Sequence, residues 1–567
     1  MAEVVDTIKA TIAQVLPDRT TDTTSDSQII YVDPLDGKDE PEADGSQAKP
    51  YKSLGHAYIT HGTEGLTFRT RQAVKDTDQF EYVEPAKSAV KKATGALDNH
   101  KKKLLRAEQT AAAEREKEQA RQKNLEDAKK IIITEDASLP AAQKVTIANK
   151  DIPFGTRVKV SGRIHRLRQQ KGVTFITLVD GYGHLQCVLT GDLAKTYEAL
   201  IFAQSTSLTL YGEIKKVPEG ATAPDSRELH VDYFKVIGHA PIDKDIITNR
   251  VSAQQDMWEA SMLDSRHLVL RGDAASSVLK VRSSIEFAFA KVYNDLRFTK
   301  VSPPALTQSQ CEGGSTLFAL QYYDEQAYLT QSSQLYLETC IPSMGNVYCI
   351  EKSFRAEKSL TRRHLAEYSH VEAELDFIEF TDLLDHLEYM ICTVIDILLA
   401  DPVTAGYIKE LNPSFAAPSR PFKRMRYSDA IDWLNAQDEP ILNEEGKPHT
   451  FGDDIAEAAE RRMTDIIGVP ILLTHFPVEI KAFYMKKDPQ DLRVTESVDV
   501  LMPGVGEIVG GSMRMEGYDE LMAAYEREGI SPKDYYWYTD QRKYGTSPHG
   551  GYGLGLERFI AWICKFS

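Results

Sequence analysis

The stretch "FRAEKSLTRRHLAEYSHVEAE", residues 354–374, sets a basic segment directly before a series of carboxylates. The spacing predicts a strand that ends at Arg355 and Glu357, a loop that holds the basic residues, and a return strand to Glu374. A guanidinium group is a planar fork that matches phosphate oxygens. Alternate residues of a strand share a face, so Glu372 and Glu374 lie on the same side. We therefore expect the hairpin to bind a polyphosphate at its tip and a cationic or amide group at its base.

The composition is that of an ordinary globular protein with several domains. The chain has 567 residues, of which 42% are hydrophobic and 27% charged, and this length predicts about three or four structural units. The net charge of -17 argues weakly against nucleic acid as a partner, although local basic patches can overrule it. Residues 383–400 are the most apolar long segment, but three acidic residues interrupt them, which favours a buried amphipathic helix over a membrane span.

Cysteine usage and the N-terminus indicate a cytosolic setting. The six cysteines are scattered and form no CxxC pair, which favours reduced thiols over a disulfide framework or structural zinc. The first residues, "MAEVVDTIKATIAQVLPD", lack the basic start and apolar centre of a secretory signal and the arginines of a transit peptide.

Four segments differ in their patterns. Residues 1–97 mix short apolar runs with turn residues and predict an appended α+β domain. Residues 98–130 lack Pro and Gly and predict a charged helix; positions 101–130 hold ten Lys or Arg against six Asp or Glu. This helix is either a solvated linker or a basic arm that contacts a phosphate backbone, and the residues alone leave both open.

Residues 131–245 alternate apolar and polar side chains in about five short strands, which predicts an OB-fold β-barrel. Barrels of this kind often bind oligonucleotides through exposed aromatic and polar residues. Phe175, Gln186 and Glu228 lie on the predicted strands. Taken singly, each of the three is more typical of core or surface than of a base-binding position.

Residues 246–567 alternate helices with strands that follow one another closely, which predicts a mostly antiparallel sheet flanked by helices. A glycine-rich phosphate loop is missing from the positions where it would be needed, so a bound nucleotide would have to be held by side chains.

Three motifs in this part resemble those of class II aminoacyl-tRNA synthetases. Residues 298–307 ("FTKVSPPALT"), 354–374 and 550–563 ("GGYGLGLERFIAWI") are similar to motifs 1, 2 and 3. The amino-acid sequences of these motifs most resemble those of the subgroup that contains the aspartyl, asparaginyl and lysyl enzymes. The resemblance implies an α+β protein with a class II antiparallel sheet, preceded by an anticodon-binding OB barrel. It also implies a homodimer, with Pro303 of motif 1 at the interface.

The resemblance assigns roles to residues of a nucleotide site. Arg355 and Arg558 correspond to catalytic arginines at the phosphates, and Glu507 to a carboxylate that holds Mg²⁺, with Gly510 at the second metal position, which is often Ser. The resemblance implies ATP as co-substrate and attack of an amino acid carboxylate on the α-phosphorus. The remaining implied ATP-binding residues are Glu357, Arg363, His364, Leu365, Tyr368, Gly555, Leu556 and Glu557.

The choice of amino acid depends on "LTQSSQLYLET", residues 329–339. Aspartyl enzymes carry a Lys three residues after the Gln of this motif, whereas Gln334 is followed by Leu337 here. An Arg514 donor and a Glu372 acceptor suit an amide, while a substrate carboxylate would be repelled by Glu372. Further residues implied at the amino acid are Glu312, Ser315 and Gln334.

Several stretches resemble the eukaryotic cytosolic asparaginyl branch of the subgroup. The expected substrates are therefore L-asparagine, ATP and tRNA(Asn), and the location is the cytoplasm. By the same resemblance Phe175, Gln186 and Glu228 contact the anticodon. Alternatives are an aspartyl enzyme, an asparagine synthetase of the same ancestry and a non-catalytic protein of this fold. Relatives usually continue past motif 3 with a short tail, whereas this sequence ends at "WICKFS".

Overall fold

A computed structural model describes residues 28–39, 43–74, 79–170, 172–242, 263–309, 317–356 and 365–565. The chain divides into two compact units, residues 1–242 and 243–567.

The first unit begins with a small three-stranded sheet covered by helices. Strand β1 pairs with β2 in parallel, and β2 pairs with β3 in antiparallel. The helix predicted for residues 98–130 begins earlier, at Lys87, because Ala93 and Leu97 are buried in the core of this small domain. Beyond that contact most of its side chains are exposed. The elements are β1 (Gln28–Val32), α1 (Leu54–His61), β2 (Leu66–Ala73), β3 (Phe80–Val83) and α2 (Lys87–Ala128).

A closed barrel follows, and it confirms the predicted OB-fold. Five strands pair in the order β5-β6-β7-β9-β8, and β8 returns to β5. Apolar side chains alternate along each strand and fill the interior, as Ile176 and Leu178 do on β6. The elements are β4 (Gln143–Lys144), β5 (Arg157–Gln170), β6 (Val173–Val179), β7 (His184–Thr190), α3 (Tyr197–Leu200), β8 (Ser207–Lys216) and β9 (Arg227–Gly238).

The second unit is built on an eight-stranded sheet in the order β10-β14-β15-β20-β19-β18-β17-β16. Its central pairs are antiparallel, and only the edge pairs β10–β14 and β16–β17 are parallel. This confirms the predicted antiparallel architecture. The strands are β10 (Thr299–Lys300), β11 (Leu306–Thr307), β12 (Ala319–Tyr322), β13 (Glu325–Leu329), β14 (Val347–Phe354), β15 (Glu367–Asp376), β16 (Lys423–Arg426), β17 (Ile471–Thr474), β18 (Ser497–Met502), β19 (Gly506–Met513) and β20 (His549–Gly555).

Helices pack against this sheet and bury its main core. Helix α7 contributes Leu383, Leu387, Ile391 and Ile395, which recur every fourth residue and face the core. The helices are α4 (Arg266–Val269), α5 (Asp273–Asp295), α6 (Gln334–Met344), α7 (Phe380–Ala400), α8 (Pro402–Leu411), α9 (Tyr427–Asn435), α10 (Glu457–Ile467), α11 (Tyr518–Glu528), α12 (Tyr536–Lys543) and α13 (Leu556–Cys564).

Within the described ranges, none of the helices is by itself long and apolar enough to cross a membrane. The pair α7–α8 meets that test only when taken together, and the two helices are bent by 100° where they meet.

Candidate active site

One pocket lies over the central strands of the second unit and encloses about 1260 Å³, part of it open to solvent. The hairpin of β14 and β15 forms one wall, and β18, β19 and β20 form the floor. Among the residues singled out from the sequence, those that line it are Gln334, Arg355, Leu365, Tyr368, Glu372, Glu507, Gly510, Arg514, Gly555, Glu557 and Arg558. The predicted hairpin thus brings basic and acidic side chains into a single cavity.

Two arginines flank one end of the pocket. Arg558, in the first turn of α13, donates from Nη1 to the Glu507 carbonyl at 3.1 Å and to its carboxylate at 3.2 Å. Arg355 follows β14, and its guanidinium carbon lies 5.5 Å from the centre of the Tyr368 ring. A planar aromatic ring beside two guanidinium groups suits a base attached to phosphates.

Glu557 holds this wall in place. Its carboxylate accepts hydrogen bonds from the Ser369 backbone N–H at 2.9 Å and from Arg282 Nη1 at 2.8 Å. Helix α5, which carries Arg282, is thereby tied to β15 and α13. Leu556 is fully buried in the main core and does not line the cavity, so its side chain lies away from the predicted ATP site.

Carboxylates cluster beneath the arginines. Lys481 donates to Asp499 at 2.7 Å, and Asp499 lies directly across from Gly510 in the β18–β19 pairing. Burial, reinforced by the charge of Glu507, raises the pKa of Asp499 to about 6 even though Lys481 lowers it. Burial followed by repulsion from Glu507 and Asp499 also raises the pKa of Glu460 well above its usual value. Three carboxyl groups, those of Asp499, Glu507 and Glu460, therefore lie close together at this end of the site.

The residues here fit a divalent cation. A Cβ placed on Gly510 would lie 3.3 Å from Glu507 Oε1 and 3.6 Å from Asp499 Oδ1, so the space beside this glycine is within reach of both carboxylates. Carboxylate oxygens are the ligands that Mg²⁺ prefers. Gly510, expected at the second metal position, offers no side-chain ligand, and Asp499 presents a carboxylate to the same space.

The other end of the pocket holds a buried acceptor. Glu372 is 2% exposed and accepts hydrogen bonds from the Ser332 hydroxyl and from the Ser333 backbone N–H at 2.9 Å. These donors come from the stretch before α6, so residues 329–339 position the motif 2 carboxylate. Gln334, the first residue of α6, lines the same cavity.

Arg514 is buried, and Glu374 pairs with it. Arg514 Nη2 lies 2.5 Å from Glu374 Oε1, and Arg514 Nε lies 3.2 Å from Glu374 Oε2. Arg514 Nη1 donates to the Ser512 hydroxyl at 2.7 Å. Burial raises the pKa of Glu374 to about 7 although the adjacent Arg514 lowers it. Glu372 and Glu374 lie two residues apart on β15, and each side chain has its own hydrogen-bond partners.

Glycines of β20 make room for side chains of β15. Gly551 lies opposite Glu374, and Gly553 opposite Glu372. A Cβ on Gly551 would collide with the Glu374 carboxylate, and one on Gly553 with the His370 ring. The repeated glycines of motif 3 therefore leave space for the Glu374 carboxylate and the His370 ring of β15.

Leu337 does not reach the cavity. It is fully buried in a small apolar cluster with Ile341, Val347 and Cys349. The Cys349 thiol lies 3.8 Å from Glu372 Oε2, so the cluster that contains Leu337 packs behind Glu372.

Five predicted site residues fall outside the described ranges. They are Glu312, Ser315, Glu357, Arg363 and His364. Leu365, the first described residue after that segment, is half exposed at the edge of the pocket. The roles expected for the undescribed residues stay predictions.

In the barrel, the three predicted anticodon residues lie on one outer face. Gln186 donates to Glu228 at 2.9 Å across β7 and β9, and the Arg168 guanidinium lies 4.7 Å from the centre of the Phe175 ring. Strand register puts Phe175 beside Val188, two residues from Gln186 on the same face. An aromatic ring, a cation and an amide on one open face suit stacking and hydrogen bonding to single-stranded bases.

Sequence reasoning missed Asp499 and Lys481, which line the pocket, and Glu460, which lines an adjoining cavity that shares both of them. Asp499 carried one usable signal, an ionisable residue inside the otherwise apolar run "SVDVLM". Lys481 and Glu460 come from segments with no motif to mark them. Their contact with Asp499 and Glu507 depends on tertiary packing.

Family comparisons agree with this organisation. The family described as "tRNA synthetases class II (D, K and N)" matches residues 259–567. A second, described as the N-terminal domain of asparaginyl-tRNA synthetase, matches residues 46–140, and an OB-fold nucleic acid binding domain matches residues 158–237.

Individual relatives are similar over almost the whole chain. "Asparagine--tRNA ligase, cytoplasmic" of Saccharomyces cerevisiae is 52% identical over 94% of this chain and 96% of its own length. The Homo sapiens protein of the same description is 48% identical over 94% of this chain and 95% of its own. The solved structure of Entamoeba histolytica asparaginyl-tRNA synthetase with asparaginyl-adenylate has a TM-score of 0.70 and 46% identity, covering 75% of this chain and 96% of that one. The chain therefore belongs to the class II tRNA synthetases of the aspartyl, lysyl and asparaginyl group, within the asparagine–tRNA ligase family.

Proposed function

We propose that this chain is an asparagine–tRNA ligase that activates L-asparagine with ATP and transfers it to tRNA(Asn). The observation that best supports this function is that one cavity holds two guanidinium groups at one end and a buried carboxylate–arginine set at the other. An amino acid carboxylate bound between them would face the α-phosphate. The relatives that match over most of the chain are described as cytoplasmic, and the chain is a cytoplasmic enzyme of this class.

In the first step an oxygen of the asparagine carboxylate attacks the α-phosphorus. The bond from that phosphorus to the bridging oxygen of pyrophosphate breaks, and asparaginyl-adenylate and pyrophosphate form. Negative charge grows on the phosphoryl oxygens, and the guanidinium groups of Arg355 and Arg558 stabilise it. Arg558 is oriented in advance by its two bonds to Glu507.

Recognition of the amino acid follows from which groups are already paired. Glu374 and Ser512 occupy three donors of Arg514, so its guanidinium is fixed in direction. Glu372 is an acceptor at the pocket wall. A side-chain NH₂ can donate to Glu372, whereas a carboxylate at the same point would be repelled.

Mg²⁺ is proposed to bind beside Gly510, held by Asp499 and Glu507. When bound, it would neutralise phosphate charge and orient the leaving pyrophosphate. Without it, this pair of carboxylates would repel the triphosphate. Lys481 donates to the other Asp499 oxygen, Oδ2, and so holds the carboxylate in place.

Transfer uses the 3′-terminal adenosine of tRNA(Asn), whose hydroxyl attacks the carbonyl carbon of the adenylate and releases AMP. The barrel face with Phe175, Gln186 and Glu228 is proposed to bind the anticodon. His230 continues that face and pairs with Glu228 at 2.7 Å.

A homodimer through motif 1 is part of the proposal. Helix α5, which precedes Pro303, leaves two large apolar side chains exposed, Leu279 at 45% and Phe287 at 68%. A second copy packed on this helix would remove both side chains from water.

The test is aminoacylation with labelled amino acid. We expect ATP-dependent transfer of asparagine to tRNA(Asn) and negligible transfer of aspartate to any tRNA. Transfer of aspartate alone, or no transfer in the presence of ATP and Mg²⁺, would contradict the proposal.

A further inference from the structure

The buried carboxylate of Glu338 does not line the pocket, but it is hydrogen-bonded to Gln334, which does. Glu338 lies one turn after Gln334 on α6 and is 3% exposed. Its Oε1 accepts from Gln334 Nε2 and from the Tyr538 hydroxyl, both at 3.1 Å. Its Oε2 accepts from Arg542 Nη2 and from His549 Nε2, both at 3.0 Å.

The surroundings keep Glu338 ionised. His549 Nδ1 lies 2.8 Å from the Ser547 carbonyl while Nε2 faces Glu338, so both ring nitrogens meet acceptors. Burial lowers the pKa of His549, but the hydrogen bond to Glu338 and the charge of Glu338 outweigh it and raise the pKa. Burial alone would raise the pKa of Glu338, but the charges of Arg542, His549 and Arg514 outweigh it and lower the pKa. An ionised carboxylate has no proton to donate, so every contact it makes is as an acceptor.

This fixes the orientation of Gln334. A side-chain amide has an NH₂ end that donates and an oxygen that accepts, and either end can face a neutral partner. Only the NH₂ end can face an ionised carboxylate. The oxygen is thus the end of Gln334 left to face the pocket that this residue lines.

We propose that Glu338 is a positioning residue for amino acid binding: it holds the Gln334 amide so that its oxygen is presented to an N–H donor of the bound amino acid. The inference rests on the proposed function, since it assigns Gln334 to the amino acid end of that site. Arg542 and His549 hold the carboxylate in this state, and neither lines the pocket in the described part of the chain.

The first variant is Glu338→Gln, which keeps the shape but can donate from one end. Its oxygen would satisfy Arg542 and His549, and its NH₂ would then face Gln334 and favour the flipped amide. We expect the KM for asparagine in ATP–pyrophosphate exchange to rise about 10- to 100-fold, the loss of one charge-assisted hydrogen bond, with the KM for ATP within about twofold of wild type.

A double-mutant cycle separates this role from a general loss of packing. If Glu338 acts through Gln334, then Glu338→Gln introduced into Gln334→Ala should change the KM for asparagine by less than about twofold. Tyr538→Phe is the matched control, because it removes a donor to the same oxygen and leaves Gln334 bound. It should lower the melting temperature without changing the KM for asparagine.

Glu338→Asp covers the case in which Glu338→Gln does not fold. It keeps the charge for Arg542 and His549 but withdraws the carboxylate from Gln334, so the KM for asparagine should again rise. The inference is overturned if a folded Glu338 variant binds asparagine within about twofold of wild type, or if the full effect persists in Gln334→Ala. A wild-type enzyme without asparagine-dependent exchange would instead overturn the proposed function itself.

Discussion

Arg355 and Arg558 face the same end of one cavity, although more than two hundred residues separate them in the chain. Replacing either by Ala should lower ATP–pyrophosphate exchange by at least about 100-fold, because each loses a charge-assisted contact that strengthens as phosphoryl charge develops. Arg424→Ala is the matched control, since its guanidinium forms an exposed pair with Asp385. Exchange above about a tenth of wild type in either pocket variant would be incompatible with the assigned roles.

Glu372 is the residue on which amide selection depends. Glu372→Gln keeps the acceptor oxygen but removes the charge that repels aspartate, so the preference for asparagine should narrow by about 10-fold or more. The measurement is exchange with each amino acid for wild type and variant. A preference that stays the same would mean that selection comes from other residues.

At the scale of elements, helix α7 packs a histidine against the sheet. Burial lowers the pKa of His386 to about 4, and its ring stacks on Phe298 at 5.4 Å. Between about pH 6.5 and 4 the unfolded chain binds a proton that the folded chain excludes, so stability falls as the pH falls through this window.

The loss of stability amounts to about 3 kcal/mol of unfolding free energy across the full pH window. His386→Phe should remove this pH dependence while preserving the stack on Phe298. Melting temperatures of wild type and variant at pH 6.5 and 5 provide the check. Equal pH slopes for the two proteins would show that His386 does not titrate in this way.

Helix α2 is either a solvated linker or a basic arm that contacts a phosphate backbone. Its Lys101, Lys102 and Lys103 side chains are exposed. If they contact phosphates, changing all three to Gln should weaken tRNA binding and reduce the log–log salt slope by up to about three. Exchange without tRNA should not change. A tRNA affinity and salt slope equal to those of wild type would favour the solvated linker instead.

At the scale of the whole molecule, the parts that sequence predicted are those with a local signal. The alternation of apolar and polar residues predicted the barrel, and the motif 2 sequence predicted the hairpin that carries Glu372. The earlier start of α2 was missed because the burial of Ala93 and Leu97 depends on a partner helix and sheet. Likewise, the bonds from Glu338 to Arg542 and His549 span about two hundred residues, and no short pattern encodes them.

The proposed function requires that this molecule activate asparagine in preference to aspartate. The most direct measurement is ATP–pyrophosphate exchange by the wild-type protein, without tRNA, with each amino acid in parallel. We expect a kcat/KM for asparagine at least about 100-fold above that for aspartate, because a carboxylate in place of the amide would face Glu372. Equal values, or a preference for aspartate, would contradict it.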